Sequence, residues 1–500
     1  MTPLPELARA HWIWPGTLYD DPVNVYAHFH RVVDVDRVPP SVVTHITADA
    51  EYQLYVNGHY AARGPARGYQ PHWPVDEVDI AQFLRTGGNV IAIIAHNPGV
   101  GTFRYRSESY AGVMVSMAIG DTRLVSDRSW RCRIDPSRAR TTPKLSKQMG
   151  FQEQVDLRFD DRAWMTAPEA SLGADWRVPS ARPYGSAPWH ATEPRGLPML
   201  TRRQMPYARE VARAAFAEPG RGDTHAMTRP TSLHRRQIEA AEWTASDSSA
   251  IENGMLCVGV PEIEAGHARA ITLDLGRASI GELLVEARGS TGGELLDVLF
   301  TEDITQHGCP VFAGDASDGH IDMATRVVLG CGMRGPCAHE AFQVIGHRYA
   351  TMVVSGPAPA IALRVAHRET RCPIDVVGSF QCDDATLNDI YRISENTQRN
   401  CMMDAYVDTP WREQAQWWGD ARVQAWNTFA LANDPRLLRR GLRQIADPAQ
   451  EVPNGLTYGH APTIAHDCIL PDFTCVWMLT IWDDYFHSGD PCMFAELWPR

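Results

Sequence analysis

The chain has 500 residues, 44% hydrophobic, 21% charged and 9% aromatic, which excludes wholesale disorder. At roughly 100 to 200 residues per domain it allows two to five domains with substantial cores. Lys and Arg number 47 against 60 Asp and Glu, a net charge of −13 with the signs mixed and no basic stripe, so neither nucleic acid nor an anionic membrane is expected as a partner.

Met1 to Gly16 contains Glu6 and lacks the apolar core of a secretory leader, and no apolar run reaches the roughly 18 residues of a membrane span. The expectation is a soluble, cytoplasmic protein. The 11 cysteines are odd in number and form no CxxC pair, which reads as free thiols in a reducing compartment. Cys331 and Cys337, which bracket a Gly-rich loop, are read the same way. No Asn-x-Ser/Thr acceptor occurs.

From about Val43 to Ala118 the pattern is strand-like. Tyr52, Leu54 and Val56 alternate with their neighbours before Asn57-Gly58, the dipeptide most favoured in a two-residue hairpin turn. Val90 to Ala95 and Gly112 to Ile119 continue the rhythm without a sustained 3.6-residue period. Residues 1–180 are thus expected to form an N-terminal β-sandwich. Residues 181–250, rich in Pro, Arg, Ser and Ala, read as a connecting segment with a short helix over Arg209 to Ala217. Strand signals return at Ile271 to Gly276, Glu282 to Ala287 and Glu294 to Phe300, which predicts a second β-sandwich over residues 251–372.

After Phe380 the period changes. Leu387, Ile390, Tyr391 and Ser394 fall at i, i+3, i+4, i+7 behind the capping candidates Asp383 and Asp384. Val423, Trp426 and Ala430 predict a second helix. Leu438, Leu442 and Ile445 predict a third, opened by Asp434-Pro435 and closed by Asp447-Pro448. Phe473, Val476, Trp477, Thr480 and Ile481 predict a fourth, and Pro491 to Trp498 opens a fifth. Helices follow one another without strands, so residues 373–500 are expected to be an all-α domain of paired helices, unfinished at Arg500.

The densest cluster of reactive side chains is Asp408 to Asp420, with three carboxylates, one arginine and three tryptophans. Charged residues are rarely buried unpaired, so such a stretch makes poor core material. Crowded carboxylates raise the pKa of one of their number, as a glycosidase acid requires. Aromatic faces stack on sugar rings while carboxylates and arginine hold the hydroxyls. Seven of the 15 tryptophans lie in the last 90 residues. A helix start with surface ion pairs and tryptophans packed between helices is the alternative reading. His460, His466 and Asp467 match no standard metal-ligand spacing, and Gly99-Val100-Gly101 lacks the setting of a dinucleotide fingerprint, so no metal and no cofactor is expected.

The string Asp408-x-Pro410-x-Arg412-Glu413-x-x-x-Trp417-x-Gly419-Asp420-Ala421 resembles the active-site signature of bacterial α-L-rhamnosidases, inverting glycosidases with β-sandwiches ahead of an (α/α)6 barrel. Tyr55-Val56-Asn57-Gly58 with Arg63-Gly64-Pro65 is similar to the family's lectin-like first sandwich. Leu273-Asp274-Leu275-Gly276, Phe342 and Gly346-His347-Arg348-Tyr349 are similar to the sandwich before the barrel. The implied fold class is a multidomain β + α protein, with N-terminal β-sandwich domains followed by an (α/α)6-barrel catalytic domain, incomplete at Arg500. The resemblance implies Glu413 as general acid, Asp408 and Asp420 as the carboxylates that hold sugar hydroxyls, and Arg412 and Trp417 in the same subsite. Asp472 matches a sugar-contacting loop, or is a plain helix cap. The family's general base is a glutamate in a later barrel loop, past the end of this sequence, so no residue here is matched to it.

The implied activity is hydrolysis of terminal α-L-rhamnosides with inversion, with a carbohydrate substrate as partner and a homodimer left open. The alternatives are a carbohydrate-binding or degenerate protein without the base, and a helical-barrel glycosidase for another sugar.

Overall fold

The structure, a computed structural model, describes residues 4–16, 22–120, 122–160, 162–218, 229–247, 250–313, 321–330, 335–447, 452, 455–462 and 468–498. Two sheets pack face to face over the first part of the chain. One has seven strands, in the order Ser180–Pro183, His11–Trp14, Gly112–Ile119, Val43–Asp49, His72–Asp79 and Ala191–Pro194, with Thr122–Val125 paired to Gly112–Ile119. The other has five, in the order Arg131–Ile134, Val25–Val35, Gly87–Asn97, Glu51–Val56 and His59–Gly64. Inward residues of both, among them Ile13, Val113 and Val115 on one side and Phe29, Ile91 and Ile93 on the other, share one core. The hairpin expected at Asn57-Gly58 forms, with φ of 52° and 79° as a primed turn requires.

A second β unit is a twelve-stranded sheet bent around its own core. Its spine is the 22-residue strand His267–Arg288, which absorbs two strands expected separately. A register shift between Asp274 and Ser279 breaks it into two halves. The first half pairs with Arg209–Ala217, the second with Ile361–Arg371 and Cys337–Glu340. Ile271 and Leu273 from one half meet Leu283 and Val285 from the other in the same core.

Arg209–Ala217 is therefore a strand and not the expected short helix. Its alanines favour helix, but Glu210, Ala212, Ala214 and Phe216 are buried at period two, and pairing with the spine decides the outcome. The segment read as a connection also supplies Thr201–Pro206 to this sheet, and a helix, α1, over Pro230–Ala240. Gln154–Asp156, from the first sandwich's stretch of chain, pairs in parallel with Ala324–Val328. The two β units are thus stitched together.

The helices are α2 (Ala385–Asn400), α3 (Trp418–Leu431), α4 (Arg436–Ala446), α5 (Pro471–Ser488) and α6 (Cys492–Leu497). Asp384 caps α2 as expected, accepting from the backbone N–H groups of Thr386 and Leu387. Its predicted apolar stripe is not covered among the described residues, and Leu387, Ile390 and Ile393 are exposed. In α3 the buried face is Trp418, Ala421, Ala425, Thr428 and Leu431, because small residues there let α5 approach, whereas Val423 and Trp426 point outward. In α4 the predicted Leu438, Leu442 and Ile445 are buried in a core that also receives Tyr69 and Leu197 from the β region. Among the described residues nine cysteines are free, but Cys337 is disulfide-bonded, which corrects the reading of every cysteine as a thiol. Cys331, read together with it, lies outside the described residues. No helix among the described residues is long and apolar enough to cross a membrane.

Candidate active site

Between α2 and α3 the chain makes the irregular loop 401–417, and the backbone of its tip is held on itself and by both β units. Asp408 N–H donates to the Ala415 carbonyl at 2.9 Å, and Ala415 N–H returns to Asp408 Oδ1 at 3.0 Å. Gln414 adopts φ of 54° and donates its N–H to the Thr409 carbonyl at 3.1 Å. From the second β unit, Gly346 N–H reaches the Pro410 carbonyl at 2.9 Å. A Cβ at position 346 would lie 2.6 Å from Pro410 Cβ and 2.8 Å from its carbonyl, so only glycine permits this approach. Trp411 turns away from the site into the second sandwich's core, its Nε1 donating to the Phe300 carbonyl at 3.1 Å.

Three residues of the first β unit reach the loop. Ser146 Oγ donates to the Arg412 carbonyl at 2.7 Å. Arg67 grips Asp404 through both carboxylate oxygens and sends Nη1 to the Gln414 carbonyl at 2.9 Å. Arg104 Nη1 reaches Gln414 Oε1 at 2.7 Å.

This frame brings together five of the six residues singled out from the sequence. Glu413 is largely buried; its Oε2 accepts from Trp417 Nε1 at 3.1 Å, and its Oε1 lies 3.6 Å from Arg412 Nε. Burial, and after it the charge and hydrogen bond of Glu413, pushes Asp408 up to about 7 against the opposing backbone donors of Thr409 and Ala415. Asp420, exposed on the first turn of α3, is raised by desolvation and then by Glu413. Arg412 is exposed at the rim.

Asp472 stands apart. It is exposed in the first turn of α5, behind Leu470 at the cap position, so it is a first-turn acid and not the cap itself. Among the described residues no hydrogen bond or ion pair joins it to the other five. Its neighbour Phe473 does reach the site, ring to ring with Trp417 at 6.2 Å.

Four residues here were given no part in this site by the sequence reading. Phe103, from the first sandwich, packs edge-on to Trp417 at 5.8 Å and against His460 at 4.5 Å. His460 meets Trp417 at 4.5 Å, and burial lowers its pKa to about 4, so it is a neutral wall. His466 and Asp467, weighed with it as ligands, lie outside the described residues; no group of potential ligands able to hold a metal occurs among the described ones. Glu302 follows the strand Leu295–Thr301; partial burial raises it and Arg412 opposes the rise, which sets a fourth carboxylate in the field of the cluster. Gln414 is the fourth, and it is completely buried. Phe103 and Glu302 sit in loops of other units, each more than a hundred positions away, where no local pattern marks them.

A carboxyl pair, an aromatic wall and β-sandwiches abutting a helical domain agree with the resemblance carried by the 408–421 string. Residues 375–500 match the bacterial alpha-L-rhamnosidase 6 hairpin glycosidase domain. An alpha-L-rhamnosidase of Formosa agariphila is 26% identical over 302 residues, 53% of this chain and 31% of that relative. The GH78 family rhamnosidase of Bacillus sp. GL1 superposes with a TM-score of 0.82 at 20% identity, over 100% of this chain and 68% of that one. The alfa-L-rhamnosidase of Aspergillus terreus gives 0.68 at 16% identity, over 98% and 51%. The chain thus spans about half of the fungal enzyme's length and aligns with about a third of the curated relative's. At these identities the structural likenesses speak for the fold.

Proposed function

We propose that the chain carries the acid half of a rhamnosidase active site and serves the hydrolysis of terminal α-L-rhamnosides with inversion at the anomeric carbon. The observation that carries this reading is the Asp408–Glu413 carboxyl pair beside Trp417, whose Nε1 donates to Glu413 Oε2 at 3.1 Å. In this mechanism Glu413 hands a proton to the glycosidic oxygen as the bond to the anomeric carbon breaks. Trp417 N–H keeps the Glu413 carboxyl oriented, and Asp408 and Asp420 accept hydrogen bonds from ring hydroxyls. Arg412 offers donors to the sugar at the rim. Inversion also requires a second carboxylate to activate water, roughly 6.5–9.5 Å from the acid, and that role is given to none of these residues.

The test is hydrolysis of an aryl α-L-rhamnoside by the full-length protein, with the anomer of the released sugar followed by NMR. Glu413→Gln is expected to lower kcat by about 10²–10⁴-fold, the usual worth of a positioned general acid. Unchanged turnover in a folded variant rules out Glu413 as the acid.

A further inference from the structure

The acid and its partner carboxyl sit on either side of one buried residue. Gln414 follows Glu413 in the chain and precedes Ala415, whose N–H and carbonyl both engage Asp408. Every polar group of Gln414 is occupied: N–H to Thr409, carbonyl from Arg67, Nε2 to the Val344 and Pro410 carbonyls at 2.8 and 3.0 Å, and Oε1 from Arg104. Arg104 is itself held from behind. Its other guanidinium nitrogen pairs with Glu51, Glu51 pairs with Arg63 at 3.3 Å, and Arg63 pairs with Glu282 on the spine strand of the second unit. Charge-assisted bonds of this kind, partly withdrawn from water, are strong and directional.

We infer that Arg104, on the first β-sandwich, is a positioning residue for the candidate acid: it acts through the Gln414 side chain to hold Glu413 and Asp408 at their present separation. The inference rests on the reading of Glu413 and Asp408 as the working pair. The guanidinium spans two acceptors that point in different directions, Glu51 Oε1 and Gln414 Oε1, and only a fork can satisfy both. Arg104→Lys keeps a cation beside Glu51 and loses the fork. Arg104→Met removes both.

The experiment compares wild type, Arg104→Lys and Arg104→Met in the full-length protein by the pH profile of kcat/KM on an aryl α-L-rhamnoside, and by the pH dependence of Trp417 emission. The latter is taken as the difference from Trp417→Phe, because Trp417 N–H donates to Glu413 and reports on the pair. The charged groups facing the pair are Arg412, Asp420 and Glu302, with Cys401 close to Asp408, and none of these is altered.

With the fork lost, the carboxyls separate and water enters, so the raised Asp408 carboxyl gives up its proton at lower pH. The alkaline limb and the Trp417 titration are expected to move down by about one unit in Arg104→Lys, with kcat lowered about 10-fold or more and KM changed far less. A merely structural role lowers amplitude without moving either midpoint. Arg104→Lys with wild-type midpoints overturns the inference, and this variant decides the matter where Arg104→Met does not fold. A wild type that shows no action on the rhamnoside, but whose Trp417 titration shifts in Arg104→Lys, overturns the functional reading and leaves this inference standing.

Discussion

Arg67→Met removes the main polar anchor between the first sandwich and the helical unit. In the folded chain the Arg67 side chain is 2% exposed and the Asp404 side chain 12%, and they meet through Nη2 at 2.9 Å and Nε at 3.1 Å, with the Arg67 backbone N–H adding a third contact at 2.7 Å. Burial by itself would raise the Asp404 carboxyl, but the Arg67 guanidinium outweighs it and, helped by Arg104, holds the group well below the usual carboxylate range. Deleting one partner of a buried pair leaves an uncompensated charge, a loss of about 3–5 kcal/mol. The sign follows from linkage. A depressed carboxyl contributes stability above its unfolded pKa of about 3.9 and forfeits it as pH falls through the folded value. In the variant, Asp404 takes up a proton more readily than in the unfolded chain. The gap between wild type and Arg67→Met is therefore widest near pH 7 and closes toward pH 4. Urea denaturation at both pH values, with Asp404→Asn completing a double-mutant cycle, measures it. A loss below about 1 kcal/mol at pH 7, or strictly additive single variants, refutes the reasoning.

Gly346→Ala should force the Pro410 backbone off Gly346, destabilising by about 1–3 kcal/mol and lowering kcat by about 10²-fold through displacement of Glu413; thermal denaturation and steady-state kinetics separate the two effects. His96 and His347 are held neutral by burial, each with its pKa lowered to about 4. The unfolded chain then binds the extra protons between pH 6.5 and 4, so each site should remove about 2 kcal/mol of stability between pH 7 and 5; His96→Gln should flatten that decline in an acid-denaturation series.

The parts of the fold and site that could be read from the sequence were those with local causes. Asn57-Gly58 makes its turn from its own backbone preferences, α4 follows a 3.6-residue stripe, and the 408–420 cluster announces itself by carboxylates and tryptophans at close range. What could not be read depends on distant partners. The alanine-rich Arg209–Ala217 became a strand only because the spine strand was there to pair with it. The stripe of α2 correctly marked a helix, yet the periodicity does not say what covers it. Arg67, Arg104 and Ser146 are isolated polar residues in loops, with nothing periodic around them, and their roles come from positions 266 to 347 residues away in the chain.

Trp411 sits between the catalytic candidates and the second sandwich, contributing its ring to that sandwich's core from within the site loop. Withdrawing it would return roughly 150–250 Å² of aromatic surface to water, about 4–6 kcal/mol. An excursion of that size is populated in about one molecule in a thousand or fewer, so the loop is shut in nearly every molecule a sugar meets. The carboxyl pair is consequently preorganised before ligand arrives, and no binding energy is spent on assembling it. Any breathing needed to admit a bulky glycoside then falls to the opposite walls, around Phe103 and Phe473, whose rings touch Trp417 only edge-on.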